Sequence, residues 1–267
     1  MRARLPVAIV ALACVGAAFV LLPVAALFVR APWSRLGEAL SGIGASTALR
    51  LSIEVSLAAT AISVLIGVPL AWVLARGEFP GRNLLRAAVV LPILLPPVVG
   101  GVGLLVALGR SGLVGRWLHD VLGIQLTFTT AGAVLATTFV SMPLVVLATE
   151  AGLRGLDRRY ERAAAAMGGS PWYVFRRVTL PMVAPQLAAG AVLTWARALG
   201  EFGATITFAG NFKGVTQTMP LAVYLALETE PGSAIVLSLV LLAVSITVLT
   251  LVGRRVYGAR PIAMTSQ

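Results

Sequence analysis

Asp157-Arg-Arg-Tyr-Glu-Arg-Ala-Ala-Ala-Ala-Met-Gly-Gly-Ser-Pro-Trp-Tyr-Val-Phe-Arg-Arg-Val-Thr-Leu-Pro181 is a basic, helix-punctuated stretch set between two long apolar runs. Its local chemistry describes two short helices. Asp157 is an N-cap with Glu161 in the first turn, and Tyr160, Ala163, Ala164 and Met167 recur at helical spacing on one face. Gly168 or Gly169 ends that helix in the left-handed conformation, and Ser170-Pro171 supplies the cap and first position of the next. A structured polar knob in this setting implies that the chain crosses an apolar phase before it and again after it.

The flanking sequence supplies those crossings. Spanning a bilayer takes about 20 apolar residues. Six gaps of that order separate charged side chains: Leu5 to Val29, Val55 to Ala75, Ala87 to Gly109, Val121 to Thr149, Val178 to Ala196 and Pro231 to Gly253. The fourth opens on polar Gln125-Leu-Thr-Phe-Thr-Thr130, which moves its expected helix start to Thr130, and the fifth is expected to run on past Arg197. The 267-residue chain is 58% hydrophobic and only 12% charged, where a soluble domain is about a quarter charged. Its mean hydropathy is +0.94. Backbone polar groups in lipid must pair internally, so the predicted fold is an all-α integral membrane bundle of six transmembrane helices, a single domain over 1–267. No convincing internal repeat is present, which disfavours a secondary transporter of two related halves.

The net charge of +11 follows the membrane and not a nucleic acid. With the N-terminus inside, the inner segments carry Arg2, Arg4, Arg76, Arg82, Arg86, Arg154, Arg158, Arg159, Arg162, Arg176, Arg177, Arg254, Arg255 and Arg260. The outer segments carry Arg30, Arg35, Arg50, Arg110, Arg116 and Lys213. This bias puts both termini in the cytoplasm, which an even number of spans requires. Met1-Arg-Ala-Arg4 and the apolar run behind it are read as a first span, the run being longer than that of a signal peptide. Cys14 is the single cysteine, so neither a disulfide framework nor a Cys/His metal cluster is on offer. His119, the single histidine, falls in a predicted outer loop as an ordinary solvated side chain.

Physics alone leaves two uses for the knob: docking its small-residue helix stop into a groove of another protein, or resting on anionic headgroups. A resemblance decides between them. Ala163-Ala164, Gly168, Val178 and Leu180-Pro181 stand at the spacings of the EAA loop of ABC importer permeases, followed by the typical continuation Met182-Val-Ala-Pro185. Arg162 departs from the pattern at its first, acidic position, with Glu161 just before it. The resemblance implies a type I importer fold whose loop, about 157–181, is a cytoplasmic coupling helix seated in an ATP-binding subunit. The residues it assigns to that coupling are Tyr160, Glu161, Arg162, Ala163, Ala164, Met167, Gly168, Ser170, Pro171, Trp172, Leu180 and Pro181. The chain has no G-x-x-x-x-G-K-[ST] phosphate loop, so ATP and Mg belong to the partner subunit and this chain is no enzyme and binds no cofactor itself. One loop per chain and two ATP-binding subunits per transporter imply a homodimer. The remaining implied partners are an extracytoplasmic oxyanion-binding protein and the lipid bilayer, and the implied location is the prokaryotic inner membrane.

Leu91-Pro-Ile-Leu-Leu-Pro-Pro-Val-Val-Gly-Gly101, Trp195-Ala-Arg-Ala-Leu-Gly-Glu-Phe-Gly-Ala-Thr205 and Phe208-Ala-Gly-Asn211 resemble the molybdate-type permeases more closely than their sulfate relatives. That resemblance covers nearly the whole chain. Pro92, Pro96 and Pro97 remove backbone donors, and with Gly100 and Gly101 they form a candidate hinge. Arg197 and Glu201, four residues apart in a membrane helix, form a structural ion pair or line the anion's path together with Thr205. The structural role is the stronger reading, since ionisable groups at this depth are most often tied to a partner.

Overall fold

The computed structural model describes residues 6–35, 37 and 44–257. Leu5, Arg2, Arg4 and Arg260, used above for span limits and charge placement, lie outside the described residues, as do the side chains of Arg35, Arg254 and Arg255. Among the described residues every regular element is helical. In chain order these are α1 (Val7–Arg30), α2 (Ala45–Arg76), α3 (Arg82–Leu94), α4 (Pro97–Leu108), α5 (Gly115–Leu122), α6 (Thr130–Gly155), α7 (Arg158–Ala166), α8 (Pro171–Val174), α9 (Leu180–Leu199), α10 (Gly203–Phe208), α11 (Met219–Thr229) and α12 (Pro231–Tyr257).

Five helical stretches are long and apolar enough to cross a membrane, and a sixth span results if α3 and α4 are counted together. The third run, expected as a single span from Ala87 to Gly109, is instead two helices, α3 and α4, bent by 119° to each other. Proline chemistry accounts for the break: Pro96 forces Leu95 out of the helical region, to φ −73° and ψ 139°, and neither Pro96 nor Pro97 has an N–H to carry the ladder across. The second span is longer than its apolar gap, starting at Ala45. The Arg50–Glu54 pair that limited the gap extends from the helix surface, 80% and 50% exposed, and leaves the backbone undisturbed.

The fourth span starts at Thr130 as expected, because Thr129 caps it by accepting a hydrogen bond from the Gly132 N–H at 3.0 Å. The fifth runs beyond Arg197 to Leu199 and breaks at Gly200. The α11 segment, placed above in an outer connection, is an apolar helix of 11 residues, too short to cross. It is anchored to α2 by the Met219 N–H, which donates to Ser52 Oγ at 2.6 Å.

The centre of the bundle is α2, α6 and α9. Ala71, Leu74, Val146, Leu153 and Val183 form a cluster at the end nearer α7, and Ala136, Val140, Ala204 and Phe208 another toward α10. Small residues permit this close approach in a setting where packing, not water exclusion, drives helix association. By contrast α1 buries none of its residues and packs chiefly on α12.

Candidate functional site

The loop between the fourth and fifth spans is built as two capped helices. Asp157 Oδ1 accepts the Arg159 N–H at 2.9 Å and so starts α7. Gly168 stops that helix at φ +87°, where an L side chain is disfavoured, while the Gly168 and Gly169 N–H groups return to Ala165 and Ala164 carbonyls at 3.0 Å each. Ser170 Oγ accepts from the Tyr173 N–H at 3.2 Å, and Pro171 opens α8. The chain then enters the fifth span through a π turn, Phe175–Thr179. Pro181 explains the wider turn, since its missing N–H leaves the Arg177 carbonyl without its usual partner.

The face read from Tyr160, Ala163, Ala164 and Met167 is largely uncovered among the described residues. Only Ala164 is buried, whereas Tyr160, Met167 and Trp172 are 52%, 84% and 67% exposed. Three large apolar side chains projecting from a short basic loop form a surface without a partner among the described residues. Leu180 is half-buried and Pro181 exposed where the loop joins α9.

What fixes this loop to the bundle is Glu161, the residue beside the departure at Arg162. Its carboxylate lies 3.2 Å from Arg76 Nη2 at the end of α2, and accepts the Thr179 hydroxyl at 2.9 Å. Both charged side chains are largely buried, 13% and 15% exposed, and Arg162 faces solvent. The acid therefore joins α2, α7 and the start of the fifth span. A second carboxylate, missed in the sequence reading, lies close by in the fold. Glu150 is 5% exposed and accepts from Arg86 of α3 at 2.5 Å and Arg154 at 2.9 Å. The Glu150/Arg154 spacing was visible in the sequence, but Arg86 is 64 residues away and no periodicity reveals it.

At the far end of α9, about 30 Å along its 20 residues, the other predicted residues converge. Arg197 Nη1 approaches Glu201 Oε2 to 2.5 Å, an ion contact poorly aligned for hydrogen bonding, while Glu201 Oε1 accepts the Ala204 N–H at 2.8 Å. Glu201 is 3% exposed and so bridges the break between α9 and α10. Here α10 crosses α4: a Cβ on Gly101 would stand 2.7 Å from Thr207 Cβ and 3.0 Å from the Ala204 carbonyl, and one on Gly203 2.9 Å from Pro97 Cβ. Gly100 faces the Phe139 ring, Pro92 is buried on α3, and Thr205 Oγ1 is 3.5 Å from Thr137 Oγ1 of α6. The candidate hinge and the candidate ion pair thus form one junction of two broken spans.

His119 and Asp120 meet at 3.1 Å on α5, and that hydrogen bond, with Arg116 nearby, holds the exposed Asp120 carboxyl below its ordinary range. No group of three His, Cys, Asp or Glu able to hold a metal occurs among the described residues. The arrangement has an anchored, exposed knob at one end and a tightly packed crossing at the other.

The comparisons agree with that architecture. The family described as "binding-protein-dependent transport system inner membrane component" matches residues 63–260. The molybdenum transport system permease protein ModB of Mycobacterium tuberculosis is 46% identical over 243 residues, covering 91% of this chain and 92% of that protein. Its Escherichia coli K12 counterpart is 43% identical, covering 76% and 89%. The sulfate transport system permease protein CysW of Synechocystis is 38% identical, covering 72% and 71%. Among solved structures, a bacterial alginate ABC transporter in complex with its pentasaccharide-bound periplasmic protein matches with TM-score 0.66 at 16% identity, covering 93% and 95%. An inward-facing methionine ABC transporter matches with TM-score 0.61 at 17% identity, covering 80% and 95%. The chain has the transmembrane-domain fold of type I ABC importers, and with a family match across most of its length it belongs to the inner-membrane components of binding-protein-dependent transport systems.

Proposed function

We propose that this chain is the permease subunit of an ABC importer for molybdate, working as a homodimer with both termini in the cytoplasm. A binding protein outside the membrane delivers the anion, and two separate ATP-binding subunits, holding ATP and Mg, drive the switch between outward-open and inward-open shapes. The observation that carries the reading is the exposed knob of Tyr160, Met167 and Trp172 held to two spans by Glu161. Closure of an ATPase cleft around that knob would pull on α2 and the fifth span together. Arg86–Glu150 and the α4/α10 crossing would let those spans move as rigid bodies. The choice of anion rests on the relatives: the molybdenum permeases quoted are 43–46% identical to this chain and the sulfate permease 38%.

The test is uptake into proteoliposomes holding the permease, its ATPase and its binding protein. Molybdate uptake is expected to require ATP, to be competed by tungstate, which has the same charge and shape, and to resist equimolar sulfate. ATP-independent uptake by the permease alone would refute the importer reading, and equal competition by sulfate would refute the choice of anion. In the same assay Glu201→Ala is expected to lower the transport rate without changing the molybdate-to-sulfate ratio, because it removes the cap of α10 and strands Arg197. A changed ratio would make Glu201 part of the anion's path.

A further inference from the structure

The flank of the knob that faces α2 carries an amphipathic site of its own. Arg158 and Arg162, one turn apart on α7, line with Arg76 and Glu161 a cavity of 680 Å³ backed by Trp72 and Val174. Trp72 and Pro171 also line a second groove of 380 Å³, completed by Pro69, Val73, Trp172 and Phe175. Three guanidiniums against one carboxylate leave the first cavity cationic. Arg76 is committed to Glu161 through Nη2, yet its Nε is buried without a partner, and neither Arg158 nor Arg162 has a carboxylate partner among the described residues. The second groove is almost wholly apolar: the Phe175 ring meets Trp72 edge-on at 4.9 Å and Trp172 at 5.7 Å, and Val73 is 43% exposed.

The location selects the occupant. Trp72 lies one turn before Arg76, about 6 Å from the charged end of a membrane-spanning helix, so the apolar groove opens on the hydrocarbon edge and the arginines stand at headgroup level. A ligand filling both parts needs an anionic head rich in acceptor oxygens joined to an apolar tail. A free oxyanion has no use for the groove, and an acidic protein segment would have to displace lipid from the face of a spanning helix. We infer that these adjoining cavities hold one anionic phospholipid of the inner leaflet, its phosphate between Arg76, Arg158 and Arg162 and an acyl chain along Pro69, Trp72 and Phe175. The inference rests on the reading above that the loop is cytoplasmic. The lipid would then brace the same helix that Glu161 anchors.

The experiment reads lipid retention, not transport, so its outcome is separable from that of the uptake assay. The full-length permease with its co-purifying subunits is equilibrated with equal amounts of phosphatidylglycerol and phosphatidylcholine in detergent, delipidated stepwise and weighed by native mass spectrometry. Phosphatidylglycerol is expected to be retained preferentially. The preference should fall on the order of tenfold in Arg158→Gln/Arg162→Gln, as two guanidiniums near an anionic head imply. It should persist in Arg158→Lys/Arg162→Lys, which keeps the charge, and in Arg110→Gln, which removes an exposed charge from a different loop. Equal retention of the two lipids, an unchanged preference in the Gln pair, or an equal loss in Arg110→Gln would overturn the site. Displacement of the lipid by inorganic phosphate would assign the arginines to a free anion, and retention by the permease stripped of its ATPase subunits but not by the complex would assign the surface to those subunits. Either result would overturn the lipid.

Discussion

Gly168→Asp is expected to leave membrane insertion and yield intact while reducing ATP-dependent uptake by more than a hundredfold. The reason is local. Gly168 sits at φ +87° with open space around its Cα, so a side chain there meets nothing within this chain and projects from the tip of the knob. Asp tolerates the left-handed conformation better than most residues, which confines the damage to the surface. If that tip seats in an ATPase cleft, an unpaired carboxylate buried in the contact costs about 3 kcal/mol, and every 1.4 kcal/mol is tenfold in affinity. Uptake and ATPase activity measured together check the result: basal hydrolysis should persist while transport is lost. Undiminished uptake would mean that the tip does not carry the coupling.

Glu150→Ala is expected to destabilise strongly the end of the bundle where α3 meets α6. Removing the carboxylate leaves Arg86, only 31% exposed, without its counter-charge, whereas Arg154 is 45% exposed and can turn to solvent. Breaking a buried pair by deleting one partner costs about 3–5 kcal/mol, and partial exposure of Arg86 reduces this to roughly 2–3 kcal/mol. Thermal unfolding of the detergent-solubilised protein should show the loss. The Arg86→Met/Glu150→Leu double variant should recover most of it, because two apolar side chains replace the pair without stranding a charge. A double variant as unstable as the single one would place the cost in packing and not in the stranded arginine.

How far the sequence alone reaches is set by the range of each interaction. Helix ends governed by neighbouring residues were legible: Asp157, Ser170 and Pro171 cap as expected, Gly168 takes the left-handed turn, and the fourth span starts at Thr130. Five of the six expected spans were legible as long apolar helices, because charge in lipid is costly over a whole helix length. The 119° bend was not, since Pro92, Pro96 and Pro97 announce a disturbed helix but not whether it kinks or turns back. The crossing of Gly101 with Ala204 and Thr207 decides where α4 packs, and it joins residues about a hundred positions apart.

The roles of acidic residues were the least legible. Glu201 was paired with Arg197 from spacing, but its hydrogen bond to the Ala204 N–H depends on a break at Gly200 that apolar periodicity does not mark. Glu161 was a neighbour of an atypical position. Its inward turn toward Arg76 and Thr179 required the end of α2 to lie beside the loop. The apolar face of α7 was visible, whereas the exposure of Tyr160 and Met167 on it among the described residues was not: helical spacing gives a face and says nothing of what covers it.

The central claim is that the inner knob is gripped by a separate ATPase, and Met167, 84% exposed, offers the most direct test. Because Cys14 is the single cysteine, a Cys14→Ser/Met167→Cys variant carries one thiol at the tip. In right-side-out vesicles that thiol should be protected from a membrane-impermeant maleimide, in inside-out vesicles it should react, and bound ATPase subunits should shield it. Labelling from the outer side, or equal labelling with and without the ATPase, would contradict the account.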